Sequence, residues 1–292
     1  LAFHARLFNI GGEGQAYVGG LGVGLVCLVF DQSVVGFLVT ILAILGSVIF
    51  GAIWGIIPGY LQAKRGSHIV ITTIMFNFIA AALMVYLLVN VIIAPGQMSP
   101  ETRDFASGVG LVQIHILAKY LGLDMAMSPL NLSFIVALTV SVGFWFLVWR
   151  TKFGYEVRSL GHSETAAIYA GIKVSSTIII VMAISGGLAG LVAINELLGV
   201  HNKLLLGFTA GYGFTGIAVA LMGRNHPVGI FLASLLFGAL YQGGTELDFE
   251  FSSITREMVL LIQGLIILFS GALAYMLNPL VERIYIKYYG NY

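Results

Sequence analysis

Long apolar segments alternate with short polar turns along the chain. A transmembrane helix needs about 20 consecutive, mostly apolar residues. Eight segments reach or approach this length, so the pattern predicts an all-α, polytopic bundle of about eight membrane-spanning helices. They lie at residues 16–30, 34–59, 69–93, 130–149, 177–200, 207–222, 227–244 and 257–277. The first and sixth segments are short and rich in glycine, which favours broken helices at these places.

The composition supports a membrane protein and argues against several other classes. Hydrophobic residues make up 59% of the 292 residues and charged residues only 9%, against roughly 25% in soluble domains. The 14 Lys and Arg residues are scattered, so we expect no nucleic-acid binding. The single cysteine, Cys27, excludes a disulfide framework. The sequence has no phosphate-binding loop and no clustered metal ligands, so we expect no catalytic residues and no metal site.

The cations predict which side of the membrane each loop faces. If the N-terminal end is cytoplasmic and the spans alternate, ten of the 14 cations fall on the cytoplasmic side, as the positive-inside rule requires. Two loops are then long, an external loop at 94–129 and a cytoplasmic loop at 150–176. The remaining connections are tight turns, so we expect a single transmembrane domain over residues 1–292.

Glycine-rich motifs suggest close helix packing and an internal repeat. GGLGVG (19–24) and GGLAG (186–190) predict helices in close contact. Two other motifs, GEG (12–14) and GYG (211–213), each precede a short span, a Phe-Gly-Ala helix and a further long helix. In the predicted orientation the two copies run in opposite directions, which is typical of transporters with broken helices. Chance similarity among glycine-rich helices is the alternative.

The cytoplasmic loop contains the signals of a short helix. Ser163 is a good N-cap, Glu164 in the first turn complements the helix dipole, and Gly171 is a natural stop. The alanines between them are strong helix formers. Because so short a helix is marginal in water, it must pack on something, either a partner protein or its own bundle.

Four motifs in order cover nearly the whole chain: FNIGGEGQ (8–15), TTIMFN (72–77), GHSETAAIYAGI (161–172) and GIAVALMGRNHP (216–227). Together they resemble the motifs of bacterial ABC importer permeases of the ribose/branched-chain amino-acid/nucleoside superfamily, in its simple-sugar or nucleoside branch. Two positions depart from the family pattern. Ser163 stands where Asn is usual, and Ile69 stands where many members have an acid. The family has about ten spans, so the resemblance implies that two N-terminal spans are missing here.

The resemblance implies a permease subunit of an ATP-driven importer for nucleosides or related simple sugars, in the bacterial inner membrane. Besides the lipid bilayer, its partners would be ABC ATPase subunits, a second permease (identical or a sister), and an external lipoprotein that delivers the small-molecule substrate. The chain itself would bind no cofactor, because ATP and magnesium belong to the ATPase subunits. The loop helix would be a coupling helix that docks in the ATPase. The residues expected to take part are Gly161, Ser163, Glu164, Ala166, Ala167 and Gly171.

Polar residues within the membrane are candidates for a substrate pathway, because burying them in lipid is costly. With three aromatic residues, the candidates are Phe8, Asn9, Glu13, Gln15, Asn77, Tyr212 and Phe214. Hydrogen bonding between helices is the alternative for the polar members, and capping of a half-helix is equally favoured for Glu13. The competing function is a stand-alone secondary transporter or channel that uses Glu13 or Glu196 as a proton or cation site. Such a carrier needs no docking helix in the cytoplasmic loop.

Overall fold

A computed structural model describes residues 1–120, 122–124, 126–250, 257–266 and 268–269. This part of the chain contains helices, turns and two isolated β-bridges, and no named strand. A short 3-10 helix lies at Ala2–Ala5. The α-helices are α1 (Gly12–Phe30), α2 (Gly36–Arg65), α3 (Ile69–Asn90), α4 (Ile114–Tyr120), α5 (Ser133–Arg150), α6 (Lys152–His162), α7 (Glu164–Tyr169), α8 (Val174–Gly190), α9 (Tyr212–Met222), α10 (Pro227–Glu250) and α11 (Glu257–Ile266). A π-helix at Ile194–His201 follows α8.

Six helices among the described residues are long and apolar enough to cross a membrane. They are α1, α2, α3, α5, α10 and the continuous stretch of α8 and the π-helix. The shorter apolar helices α9 and α11 account for the other two predicted spans, so the polytopic helical fold is confirmed. Residues 207–211 form turns, and the sixth predicted span is helical only from Tyr212. The end of the last predicted span, after residue 269, lies outside the described residues.

Three spanning helices contact each other through glycine. A Cβ added to Gly19 of α1 would lie 2.5 Å from Gly190 Cα of α8. A Cβ added to Gly22 of α1 would lie 2.5 Å from the carbonyl oxygen of Gly46 of α2. These distances leave no room for any other residue, so glycine brings the backbones into direct contact. The predicted close packing at 19–24 and 186–190 is therefore confirmed.

The chain divides into two compact units. The first unit is Leu1–Ile217, and the second begins at Ala218. The first unit has two apolar cores. One includes Cys27, Met84, Leu197, Leu204 and Phe208, and the other includes Ala5, Leu160, Ala167 and Met182. Within the second unit, Val219, Ala233 and Phe237 pack together. That residues 1–292 form a single domain, and that two N-terminal spans are missing, both stay predictions.

The predicted external loop is fastened to the bundle by residues 101–111, which we call the outer strap. Arg103 forms a two-point ion pair with Asp31, directly after α1, with N–O distances of 2.7 and 2.8 Å. The Asp31 side chain is fully buried, and its hydrogen bond with Arg103 lowers the pKa of its carboxyl group. Thr102 and Leu204 exchange two hydrogen bonds of 2.9 and 3.0 Å. The strap therefore holds the end of α1 and the segment after the π-helix together.

Candidate functional site

The FNIGGEGQ motif consists of the non-helical residues 8–11 and the first turn of α1, and Asn9 is the centre of its hydrogen bonds. The Asn9 amide group donates hydrogen bonds to Gln15 Oε1 at 2.9 Å and to Ser185 Oγ of α8 at 3.0 Å. Its carbonyl oxygen accepts a hydrogen bond from the Gly11 N–H at 2.9 Å. Gln15 is almost fully buried. Both predicted pathway residues, Asn9 and Gln15, therefore hydrogen-bond within the chain and hold the motif in shape.

Helix α3 holds the same motif from the side. Asn77 Oδ1 accepts a hydrogen bond from the Gly14 N–H at 2.8 Å, and its Nδ2 donates to the carbonyl of Ile10 at 2.9 Å. Thr73, one turn earlier, accepts from the Ile10 N–H at 3.3 Å. The first N–H groups of a helix have no partner within it, and Asn77 supplies one for α1. These contacts support the alternative role of Asn77, which is hydrogen bonding between helices.

Glu13 joins the start of α1 to the segment that begins α9. Its Oε1 accepts hydrogen bonds from Thr209 Oγ1 at 2.5 Å and from the Gly211 N–H at 3.1 Å. Its Oε2 accepts from the Gly213 N–H at 2.8 Å. All three partners are donors, which suits a carboxylate that can only accept. Glu13 therefore caps a half-helix across the bundle, one of its two predicted roles.

The starts of the two helices touch at this place. A Cβ added to Gly12 would lie 3.3 Å from the carbonyl oxygen of Gly213, and one added to Gly213 would overlap the Glu13 backbone nitrogen. Gly14 contacts Asn77, which lies about 12 Å along α3 from its first residue. The contact is thus at membrane depth. We call the group Gly12, Glu13, Thr209, Gly211 and Gly213 the junction.

A non-helical segment, residues 202–211, leads to the junction along α1. Its Leu204 side chain lies against Gly24 and its Phe208 ring lies against Gly20, so the segment runs antiparallel to α1. Irregular backbone is tolerated at membrane depth only where protein or a cavity surrounds it. The two glycines of α1 provide that close cover. The predicted break is therefore present before α9, whereas the one predicted at residues 11–15 is wrong, because α1 is continuous from Gly12. The inverted repeat as a whole stays a prediction.

The aromatic pathway candidates differ in accessibility. Phe8 is 38% exposed and stacks edge-to-face on Phe3, with ring centroids 4.9 Å apart. Phe214, in the first turn of α9, is 48% exposed. Tyr212, the first residue of α9, is half-buried. The rings of Phe8 and Phe214 are thus available for contact with a solute, and their role in a pathway stays a prediction.

The predicted cytoplasmic loop contains the expected short helix, α7. Ser163 Oγ accepts a hydrogen bond from the Ala166 N–H at 3.2 Å, which caps the helix start. Gly171 follows in the left-handed conformation, with φ of +78°. A second helix in this loop, α6, was not expected. Thr151 caps it by accepting from the Gly154 N–H at 3.0 Å, and its Gly161 packs directly on the carbonyl of His4.

The side chains of α7 divide into a buried and an exposed set. Ala167 is 1% exposed and belongs to the core that contains Leu160 and Met182, so it packs on its own bundle. The exposed set includes two large apolar residues, Ile168 at 58% and Tyr169 at 89%. Of the predicted coupling residues, Gly161 and Ala167 are buried, and Ser163, Glu164, Ala166 and Gly171 are exposed. A partner of α7 would thus meet Ile168 and Tyr169, which were not predicted.

Three hydrogen-bonding residues of the site were also missed. Thr73 lies four residues before Asn77, and this spacing places both on one face of the helix. The spacing could therefore have identified Thr73 as a site residue. Ser185 contacts Asn9, 176 residues away in the sequence, and Thr209 contacts Glu13, 196 residues away. No local sequence pattern predicts such contacts. Among the described residues, no group of three or more His, Cys, Asp or Glu is placed to hold a metal ion.

Comparison with known proteins gives the class to which this chain belongs. Residues 1–271 match the family described as branched-chain amino acid transport system / permease component, and the chain is a member of this family. It is 35% identical to the guanosine ABC transporter permease protein NupP of Bacillus subtilis (strain 168), over 97% of this chain and 79% of the relative. No solved structure gives a significant match.

Two further relatives are named for different solutes. The glucose ABC transporter permease protein TsgB13 of Haloferax volcanii is 32% identical, over 92% of this chain and 70% of the relative. The nucleoside ABC transporter permease protein NupB of Lactococcus lactis subsp. cremoris is 31% identical, over 92% of this chain and 73% of the relative. The chain is thus a multi-pass membrane permease subunit of an ABC transporter and not an enzyme. ATP hydrolysis belongs to separate ATPase subunits.

Proposed function

We propose that this chain forms half of the membrane channel of a bacterial inner-membrane importer for nucleosides or related sugar-containing solutes. A second permease, identical or a sister, forms the other half, and an external lipoprotein delivers the solute. The chain binds no cofactor, and ATP and magnesium are bound by the ATPase subunits. The nucleoside assignment is supported by the names of two of the three relatives above.

The exposed apolar end of α7 is the observation that carries this proposal. Tyr169 and Ile168 project from a helix whose buried side, at Ala167, is seated on the bundle. Tyr169, 89% exposed, and Ile168, 58% exposed, are adjacent on the predicted cytoplasmic loop, and an exposed apolar patch of this kind marks a contact with a partner. Because α7 is packed on its own bundle, force applied to these two side chains acts on the spans. This is what a coupling helix requires.

Copurification of the ATPase tests this docking role. We expect Tyr169→Ala in the full-length protein to reduce ATPase recovery at least about tenfold, because a central aromatic residue at an interface is commonly worth more than about 1.4 kcal/mol. Tyr120→Ala is the matched control, since Tyr120 is 86% exposed on the predicted external side. Equal recovery with both variants would contradict docking through α7.

Competition for uptake tests the solute class. Cells that express the complete transporter are given a radiolabelled nucleoside with excess unlabelled nucleoside, ribose or leucine. The proposal predicts competition by nucleosides and none by leucine. Uptake of radiolabelled leucine by the same cells, with no uptake of the nucleoside, would reassign the chain to amino-acid transport. The stand-alone carrier is disfavoured by membership in the permease family, and the same cells, once depleted of the ATPase subunits, should lose uptake.

A further inference from the structure

The junction brings together two helix ends that repel each other. The first turn of a helix has unpaired N–H groups and carries a partial positive charge. At the junction the starts of α1 and α9 are in backbone contact through Gly12 and Gly213. Within the membrane, water cannot solvate these groups. An anion between the two helix ends therefore stabilises their contact.

The Glu13 carboxylate is that anion. It belongs to the first turn of α1 and accepts hydrogen bonds from the Gly211 and Gly213 N–H groups at the start of α9. In other transporters such paired half-helix ends face an anionic group of the substrate. Here the chain supplies the negative charge itself. The two helix ends are therefore neutralised before any solute arrives.

The turn that Glu13 holds is strained. Ala210 has φ of +45°, a left-handed conformation that residues other than Gly, Asn and Asp rarely adopt. Its neighbours on both sides, Thr209 and Gly211, are bonded to the Glu13 carboxylate. Strained backbone persists only where the surroundings enforce it, and it clusters at sites that switch. Loss of the Glu13 bonds would allow the turn to relax.

The start of α1 and the turn at 209–211 are held at the junction by different kinds of hydrogen bond. Neutral hydrogen bonds fix the start of α1 to the bundle, between Asn77 and the backbone of Gly14 and Ile10 and between Asn9 and Ser185 of α8. The turn at 209–211, in contrast, is bonded to α1 through a charged group. Between Leu206 and Tyr212 the backbone has three positive φ values, at Gly207, Ala210 and Gly211. This turn is therefore the part that can move while α1 stays in place.

We propose that Glu13 is a positioning residue for transport, whose charge holds the strained turn at 209–211 against α1, and that the turn is released during each ATP-driven cycle. The proposal rests on the proposed function, because it assigns a role in the cycle of that permease. Glu13 acts through the backbone of the turn and needs no contact with the solute. The solute pathway opens or closes as the start of α9 leaves or rejoins α1.

Substitution of the charge by an isosteric amide tests the proposal. In the assembled transporter, Glu13→Gln should leave the amount of folded protein and the apparent affinity for solute unchanged. We expect its maximal uptake rate to fall at least about tenfold, the factor for loss of one charge-assisted hydrogen bond, while ATP hydrolysis continues. Glu101→Gln is the matched control, because Glu101 is also mostly buried and accepts a hydrogen bond, from Lys203 Nζ at 3.1 Å, outside the candidate pathway.

Hydrogen–deuterium exchange gives a readout of the turn itself. For a peptide that covers residues 207–217, the proposal predicts slow exchange in the resting wild type and faster exchange during ATP turnover. In Glu13→Gln the exchange should be fast already at rest. A peptide that covers residues 9–16 should exchange slowly in every state, because Asn77 and Asn9 remain. Unchanged uptake and unchanged exchange in Glu13→Gln would overturn the proposal.

Two further variants settle the case in which Glu13→Gln fails to fold. Glu13→Asp keeps the charge on a shorter side chain, and Thr209→Val removes one of the three bonds. If uptake in both variants falls only in proportion to the folded protein, Glu13 is structural and the proposal is wrong. A loss of uptake per folded transporter, with ATP hydrolysis retained, supports it. Failure of the proposed function is recognised separately, because the wild type itself would then import no nucleoside.

Discussion

A methyl group at Gly19 tests whether glycine contacts set the spacing of the spanning helices. The Cβ of Gly19→Ala would lie 2.5 Å from Gly190 Cα and 3.0 Å from its carbonyl oxygen. Ordinary contact begins at 3.4 Å, so α1 and α8 would have to separate by about 0.9 Å. Overpacking of this kind costs about 1 to 3 kcal/mol. The better helix propensity of alanine offsets up to about 1 kcal/mol of this cost.

Gly143→Ala is the matched control, because it changes the same atoms in a helix where no steric conflict arises. Gly143 lies within α5, and no atom from outside this helix lies within 4 Å of an added Cβ. The propensity term is common to both variants, so their difference isolates the close contact. We expect Gly19→Ala to be less stable than Gly143→Ala by about 1 to 3 kcal/mol. The measurement is the free energy of unfolding in mixed micelles, and equal stability of the two variants would refute the reasoning.

Two further predictions concern polar anchors. Asn77→Leu removes the hydrogen-bonding partners of the α1 start and should destabilise the protein by about 1 to 3 kcal/mol. The control, Asn90→Leu at the exposed end of α3, should change the stability by less than about 0.5 kcal/mol. A similar loss of stability in both variants would contradict the anchoring role of Asn77. The second concerns the strap. Because Arg103 keeps the pKa of Asp31 lower in the folded than in the unfolded chain, the contribution of this pair to stability is complete at neutral pH and declines as the pH falls below about 4. Proteolysis of the strap should therefore increase at acidic pH in the wild type and in the control Asp104→Asn, and should be pH-independent in Asp31→Asn.

The spans could be predicted because length and apolarity are local properties. A stretch of 20 apolar residues has few other structures open to it, and each predicted segment contains a helix. Helix α6 could also have been found. Its apolar residues Phe153, Val157 and Leu160 repeat at helical spacing, but the adjacent α7 signals were more prominent. Thr151 at its start has the hydroxyl that a cap needs.

The limits of helix α9 and the strap follow from contacts distant in sequence. The run from Gly207 to Gly216 predicts a broken helix, but the residue where the helix begins depends on the turn that Glu13 holds. Arg103 and Asp31 are 72 residues apart, and each alone resembles an ordinary loop charge. Such pairs are visible only after the chain has folded.

The roles of Glu13 and Ala167 show how burial decides between alternatives that the sequence leaves open. An acid beside glycines suits both a cap and a pathway, and the three donors around its carboxylate favour the cap. An alanine in a capped loop helix suits both a partner groove and the bundle, and its 1% exposure favours the bundle. The exposed Tyr169 then becomes the docking candidate.

ATP-driven uptake by the assembled transporter tests the central claim most directly. Proteoliposomes that contain wild-type chain, its partner permease and the ATPase subunits are given the binding protein, a radiolabelled nucleoside and ATP. The account predicts nucleoside accumulation that requires ATP, is reduced at least about tenfold by Tyr169→Ala and is unaffected by Tyr120→Ala. Accumulation without ATP, or full accumulation with Tyr169→Ala, would contradict it.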